Sequence, residues 1–241
     1  FGEYLKEQPK IKRLVNKDSN YSQRDKEIIL THEHMIINKI IGIYKDLHKN
    51  GQADLTTTPY YHPILPLLCD MNNVRKSDPS SSAPERDFNY PDDANEHIRR
   101  GIEYFKDIFG FVPDGMWPSE GSVSPEVVSL FYDNGIKWIA TDEEILWKSL
   151  DSRKTKLHTL FTPYHFSVKN KGINIFFRDH RLSDKIGFVY STWDPQKAVD
   201  DFIDSIKNIH NSLYNSGQPY IIPVILDGEN AWEYFPKNGK D

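Results

Sequence analysis

The chain has 241 residues and a formal net charge of -5 at pH 7, with 38% hydrophobic and 27% charged residues, the balance of an ordinary globular protein. Acidic and basic residues interleave along its whole length, so no basic stripe is available to neutralise phosphates, which argues against nucleic acid as a partner. No run approaches the ~18 apolar residues of a membrane span, and the lone Cys69 excludes a disulfide framework or Cys-rich metal site. Cys69 reads as a small buried apolar residue and suits a reducing compartment, so a cytoplasmic location and one domain over residues 1–241 are expected.

Residues 25–50 have apolar positions Ile29, Met35, Ile36, Ile40, Ile43, Tyr44 and Leu47 near a 3.6-residue period, which predicts a helix stopped by Gly51. A short β-prone run, Asp54 to Thr58, leads into PYYHPILPLL, whose three prolines are expected to forbid a regular helix or central strand. Asn72 to Pro91 is polar and rich in Ser, Pro and Asp, as a long surface loop would be. A second helix is expected from Asp92, with Ile98, Ile102, Phe105 and Phe109 on one face and Gly110 at its end.

Phe111 to Trp117 then reads as a buried strand feeding the turn GMWPSEGSVSPEV, where Ser124 and Pro125 form the N-cap and first position of another helix. The pattern repeats. Ile136 to Thr141 is a strand running into Asp142, Glu143 and a short helix to Leu150, and Ile173 to Phe177 is a strand running into Arg178, Asp179 and His180. Asp194 and Pro195 start a long helix with Val199, Phe202, Ile203, Ile206, Ile209 and Leu213 on its inner face. A last strand, Tyr220 to Leu226, is expected to deliver Asp227 and Glu229.

Alternating strands and helices predict a parallel α/β sheet, open or closed into a barrel, in which ligands bind at the carboxyl ends of the strands. The polar residues cluster at those ends: His62, Trp117 with Glu120, Asp142, Arg178 to His180, and Asp227 with Glu229. Glu120 and Asp227 each follow an apolar strand and precede a Gly, a setting unlike a solvated surface acid. Two such carboxylates across a cleft form the working pair of a glycosidase; they are equally suited to bind metal or to cap helices. His62, Asp142, Arg178, Asp179 and His180 suit hydrogen bonding to hydroxyls, or else a loop histidine, a helix cap and a local ion pair. A mixed nitrogen and oxygen metal site from His62, Asp179, His180 and Asp227 is the rival chemistry, unsupported by HxH or HExxH spacing. An aromatic content of 13%, with five Trp and thirteen Tyr, suits both a packed core and a ligand with apolar faces and a hydroxyl rim.

The segments GQADLTTTPYYHPILPLL, GMWPSEGSVSPE, GIKWIATDEEIL, FFRDHRLSDKIGFVYSTW and VILDGENAWEYF closely resemble glycoside hydrolase family 57, the retaining α-glucan-active enzymes. The resemblance implies an incomplete seven-stranded (β/α) barrel of TIM-like type, acting on α-glucosidic bonds of starch- or glycogen-like polymers without metal or organic cofactor. It implies Glu120 as the nucleophile, Asp227 as the general acid/base, and His62, Trp117 and Trp232 as substrate contacts beside them. The family's opening HQP-type segment is absent and no motif follows Asp241. The chain is therefore expected to be an internal part of the catalytic domain, without its first barrel strand. Two alternatives stand beside this reading: a glucan-binding scaffold that does not cleave, and a metal-dependent deacetylase or hydrolase on a related barrel.

Overall fold

In the computed structural model, the described residues are 3–84, 86, 88–150, 157–168, 170–214, 217–228 and 232–239. They divide into two compact units, one of Phe1–Asp54, Asp184–Asp201 and Leu226–Asp241, the other of Leu55–Ser183 and Phe202–Ile225.

The first unit opens with helices α1 (Glu3–Lys6), α2 (Pro9–Lys17) and α3 (Gln23–Lys49). Ser22 and Asp25 begin α3 with a reciprocal cap: the Asp25 amide donates to Ser22 Oγ at 3.2 Å, and the Ser22 amide donates to Asp25 Oδ2 at 2.9 Å. Lys17 also donates to Asp25 Oδ2, and with Ser22 it holds that buried carboxyl far below the usual carboxylate range. The expected α3 span is present, but its apolar side chains are not a buried face: Met35, Ile40, Ile43 and Tyr44 are all exposed. Periodicity established the helix; it carried no information about a covering layer.

The second unit contains α4 (Leu65–Cys69), α5 (Asn73–Ser77) and α6 (Pro91–Phe109), then β1 (Gly115–Met116), α7 (Pro125–Asp133) and β2 (Trp138–Asp142). After β2 come α8 (Glu143–Ser149), α9 (Leu157–Leu160), β3 (Tyr164–Val168) and β4 (Lys171–Arg178). Helices α10 (His180–Asp184) and α11 (Pro195–Leu213) complete the series, with Asp184 and the Pro195–Asp201 part of α11 counted in the first unit. Among the described residues the strands form one four-stranded sheet in the order β1-β2-β4-β3. β1, β2 and β4 run parallel, and Thr57 adds a parallel bridge to Met116 on the outer side of β1.

Five sequence expectations change, the first being that the segment expected as a loop from Asn72 to Pro91 opens with helix α5 and buries Asn73. The sheet is mixed, because β3 pairs antiparallel with β4 through a turn containing Asn170 at φ 67°. The strand expected over Phe111 to Trp117 shortens to Gly115–Met116, since Pro113 interrupts the approach and Val112 is exposed. Tyr220 to Leu226 does not form a strand. Pro223 has no N–H for a ladder, so the segment is held by single bonds from Ile221 N to the Phe161 carbonyl and from Asp179 N to the Pro223 carbonyl. Finally, α4 forms inside the proline-rich run because Pro66 occupies its first turn, where a missing N–H costs nothing.

The core of this unit lies between the sheet and its helices. Ile98 from α6, Phe131 from α7, Met116 and Ile139 from the sheet and Leu182 from α10 are all at most 1% exposed. Each such side chain contributes ~1.5–3 kcal/mol through removal from water. A close backbone approach occurs at Gly101 in α6, where a Cβ would stand 2.6 Å from the Thr58 carbonyl oxygen and 3.2 Å from the Tyr60 nitrogen. Those neighbours are backbone, so they cannot swing aside. Gly101→Ala should therefore lower unfolding stability by ~1–3 kcal/mol, measurable by urea titration; an unchanged midpoint would show that α6 does not fix the segment from Thr58 to His62.

Candidate active site

Parallel strands end on the same edge of a sheet, and that edge carries the segments expected from sequence to hold function. Thr57, Met116 and Ile139 are register neighbours, as are Asp142 and Arg178. Beyond them the chain continues into Thr58–His62, Trp117–Gly121, α8 and Asp179–His180.

Glu120 lies in a single 3-10 turn, Ser119–Gly121, with φ 53° and ψ 24°. A non-glycine residue in this left-handed region carries a cost of ~1–3 kcal/mol unless its surroundings impose the conformation. Here they do. Gly121 continues the turn at φ 66°, its carbonyl accepts a hydrogen bond from the buried Thr141 hydroxyl on β2, and Trp117 packs against its α-carbon. The Ser119 side chain is buried on the other side, its hydroxyl without a hydrogen-bond partner among the described residues. The result is an acid on a fixed turn whose side chain is 73% exposed.

His62 reaches the same carboxylate. Its Nε2 stands 3.4 Å from Glu120 Oε1, and its Nδ1 is 2.8 Å from the Thr58 hydroxyl. When Thr58 donates to Nδ1, the ring proton resides on Nε2 and points at Glu120. His62 and the preceding Tyr61 are also left-handed, at φ 53° and 59°. Two constrained turns thus meet at one carboxylate. Trp117 lies beside them and lines a cavity of about 390 Å³ with Thr56, Thr57, Thr58, Tyr104 and Phe105.

A second cluster gathers around Asp142. One carboxylate oxygen accepts the Glu144 amide at 2.9 Å and caps α8; the other is 2.5 Å from His180 Nε2 and 3.7 Å from an Arg178 guanidinium nitrogen. Arg178 also donates through Nε to the Ile225 carbonyl at 2.9 Å, and the His180 amide donates to Glu143 Oε2 at 3.0 Å. Asp179 faces inward. It is 3% exposed and caps α10 by accepting the Leu182 amide at 2.8 Å.

Asp227 and Trp232 belong to the first unit, and both are exposed. The Trp232 ring packs on Phe235 at 5.3 Å between centroids and lies against Gly239. Glu229 lies outside the described residues. Among the described residues no group of three or more His, Cys, Asp or Glu side chains is arranged to hold a metal ion. Two members of the site escaped the sequence reading: Thr58, which orients His62, and Thr141, which holds the Glu120 turn. Both look like ordinary β-residues in sequence, since nothing local distinguishes a structural hydroxyl from a bonded one.

Comparison with known proteins gives a consistent picture. The profile of Glycosyl hydrolase family 57 matches residues 3–241. Alpha-amylase 1 of Dictyoglomus thermophilum is 22% identical over 179 residues, covering 73% of this chain and 22% of that protein. Among solved structures, a branching enzyme of the same family from Thermococcus kodakaraensis superposes with a TM-score of 0.62 at 15% identity, covering 96% of this chain and 52% of that one. The 4-alpha-glucanotransferase of Thermococcus litoralis gives a TM-score of 0.57 at 20% identity, covering 85% and 26%. The chain spans less than a third of the length of the curated relatives it matches.

The geometry of the Glu120 turn makes a direct prediction. Thr141→Val keeps the shape at position 141 but leaves the Gly121 carbonyl without its donor, at a cost of ~1–3 kcal/mol. The variant should show a lower melting temperature, while Thr141→Ser should retain most of the stability; equal melting of Val and wild type would remove Thr141 from the support of Glu120.

Proposed function

We propose, from the premise that the chain belongs to glycosyl hydrolase family 57, that it is the catalytic part of a retaining glycoside hydrolase or glycosyltransferring enzyme acting on α-glucans. The observation that carries this reading is the setting of Glu120: an exposed carboxylate on a strained, internally held turn, with His62 at 3.4 Å and Trp117 behind it. The four-stranded sheet is then part of a seven-stranded (β/α) barrel of TIM-like type, and residues 1–241 act as one catalytic domain.

In this mechanism Glu120 attacks the anomeric carbon of a glucosyl unit while Asp227 protonates the departing glycosidic oxygen, leaving a covalent glycosyl-enzyme. Asp227, now a carboxylate, removes a proton from water or from an acceptor sugar hydroxyl. That oxygen attacks the same carbon and releases Glu120, with net retention of configuration. His62 orients the nucleophile; with the Thr58 hydroxyl donating to Nδ1, the ring proton lies on Nε2, toward the carboxylate. Trp117 and Trp232 provide aromatic faces for the sugar.

Asp142, Arg178 and His180 form a network of donors and an acceptor suited to sugar hydroxyls. Asp179 serves that set by capping the helix that starts at His180. The reaction needs neither metal nor organic cofactor. Cys69 takes no part: burial pushes its thiol up to about 11, which keeps it protonated and inert.

The test separates the two carboxylates. Glu120→Gln in the full chain should reduce turnover of maltoheptaose roughly 10⁴-fold or more while preserving glucan binding, because an amide keeps the shape but cannot form the covalent bond. Asp227→Asn with an activated glycosyl fluoride, which needs little protonation to leave, should accumulate glycosyl-enzyme on Glu120. Mass spectrometry locates the label. A label on Asp227 would reverse the two roles, and full activity of Glu120→Gln would end this reading.

A further inference from the structure

We infer that Tyr61 is a stacking platform for a glucose ring of the substrate, adjoining Glu120; the inference rests on the α-glucan reading above. Tyr61 is 80% exposed, although tyrosine rings on a folded surface usually lie partly against their neighbours. Its backbone is nevertheless held in a constrained conformation. Tyr61 and His62 occupy the left-handed region in succession, between Pro59 and Pro63.

Three contacts impose that conformation. The Tyr60 amide donates to the His97 carbonyl at 2.9 Å, His97 Nδ1 returns to the Tyr60 carbonyl at 2.7 Å, and the His62 amide donates to the Pro59 carbonyl at 2.9 Å. A turn under such strain persists because of what it presents, and it presents two side chains. One is His62, directed at Glu120. The other is the Tyr61 ring, which Tyr60 braces at a centroid distance of 4.6 Å and His97 at 6.0 Å.

A braced ring with an open surface loses little side-chain freedom on binding. Its flat apolar face and phenolic rim match a pyranose, whose C–H face stacks while its hydroxyls turn outward to bond. Because Tyr61 directly precedes the histidine that contacts Glu120, a ring held there belongs to the same bound glucan as the unit under attack. The chemistry recognised is the C–H face of an α-linked glucosyl residue.

The experiment is calorimetric titration of maltoheptaose into the full chain carrying Glu120→Gln, which stops turnover, compared with the same chain also carrying a Tyr61 substitution. Tyr61→Ala should raise Kd about tenfold, the loss of one stacking contact. Tyr61→Phe and Tyr61→Trp keep the face and should stay within about twofold of the parent. Melting temperature should be unchanged in all three, as expected for an exposed ring, which distinguishes a binding role from a purely structural one. Unchanged affinity in Tyr61→Ala, or equal losses in Ala, Phe and Trp, would overturn the platform alone. Absence of maltoheptaose binding by both the parent and the wild-type chain would overturn the α-glucan reading and the platform with it.

Discussion

Met116 is paired in parallel on both sides, to Thr57 on one flank and to Ile139 on the other, and the candidate site depends on this double register. β1 contributes only two residues, yet it aligns the carboxyl ends of three neighbouring extended segments. The Trp117 amide donates to the Thr57 carbonyl at 2.9 Å, which ties the turn bearing Glu120 to the segment bearing His62. Met116 itself is fully buried, so the ladder is anchored by apolar packing as well as by hydrogen bonds. A residue in an isolated loop could not be held to within an ångström of a partner more than fifty positions away; two residues just past a shared register can.

Around this ladder the structure concentrates backbone strain at the candidate site. Tyr61, His62 and Glu120 are all left-handed without being glycine. Each is supported by atoms remote in sequence: His97 for the turn before His62, and Thr141 and Trp117 for the turn of Glu120. Such support keeps Glu120 and His62 in one arrangement in the unliganded fold, the kind of preorganisation that lowers reorganisation at a binding or reacting site. The hydroxyl of Ser119, buried beside Glu120 and without a hydrogen-bond partner among the described residues, is a further cost borne at the same place.

Asp142 shows how one carboxylate can serve fold and site together. One oxygen caps α8 while the other meets His180 and approaches Arg178, so the helix and the polar cluster share an anchor. Asp179 takes only the first of these roles. The difference comes from burial: Asp179 points into the packed side of the sheet, whereas Asp142 sits at its rim. Acids at strand ends are favoured by helix capping alone, so such a residue identifies a rim position without identifying its use.

Local sequence determined much of this protein. The caps at Ser124 and Asp142, the stop at Gly110 and the apolar faces of α6 and α7 are short-range effects, and the helices they predict are present. The motif order likewise pointed to the family. Tertiary structure alone decided the rest. The antiparallel β3 and the unpaired Tyr220–Leu226 segment depend on which edges remain available for pairing and on a proline that cannot donate. Thr141 acquires its role only when β2 meets the Glu120 turn, Thr58 acquires its role only in the left-handed turn that brings His62 back to it, and Asp142 and Asp179, alike in sequence setting, part company once one is buried. Helix signals arise from neighbours a few residues apart and can be read along the chain; hydrogen bonds between segments tens of residues apart exist only after the sheet has brought them together.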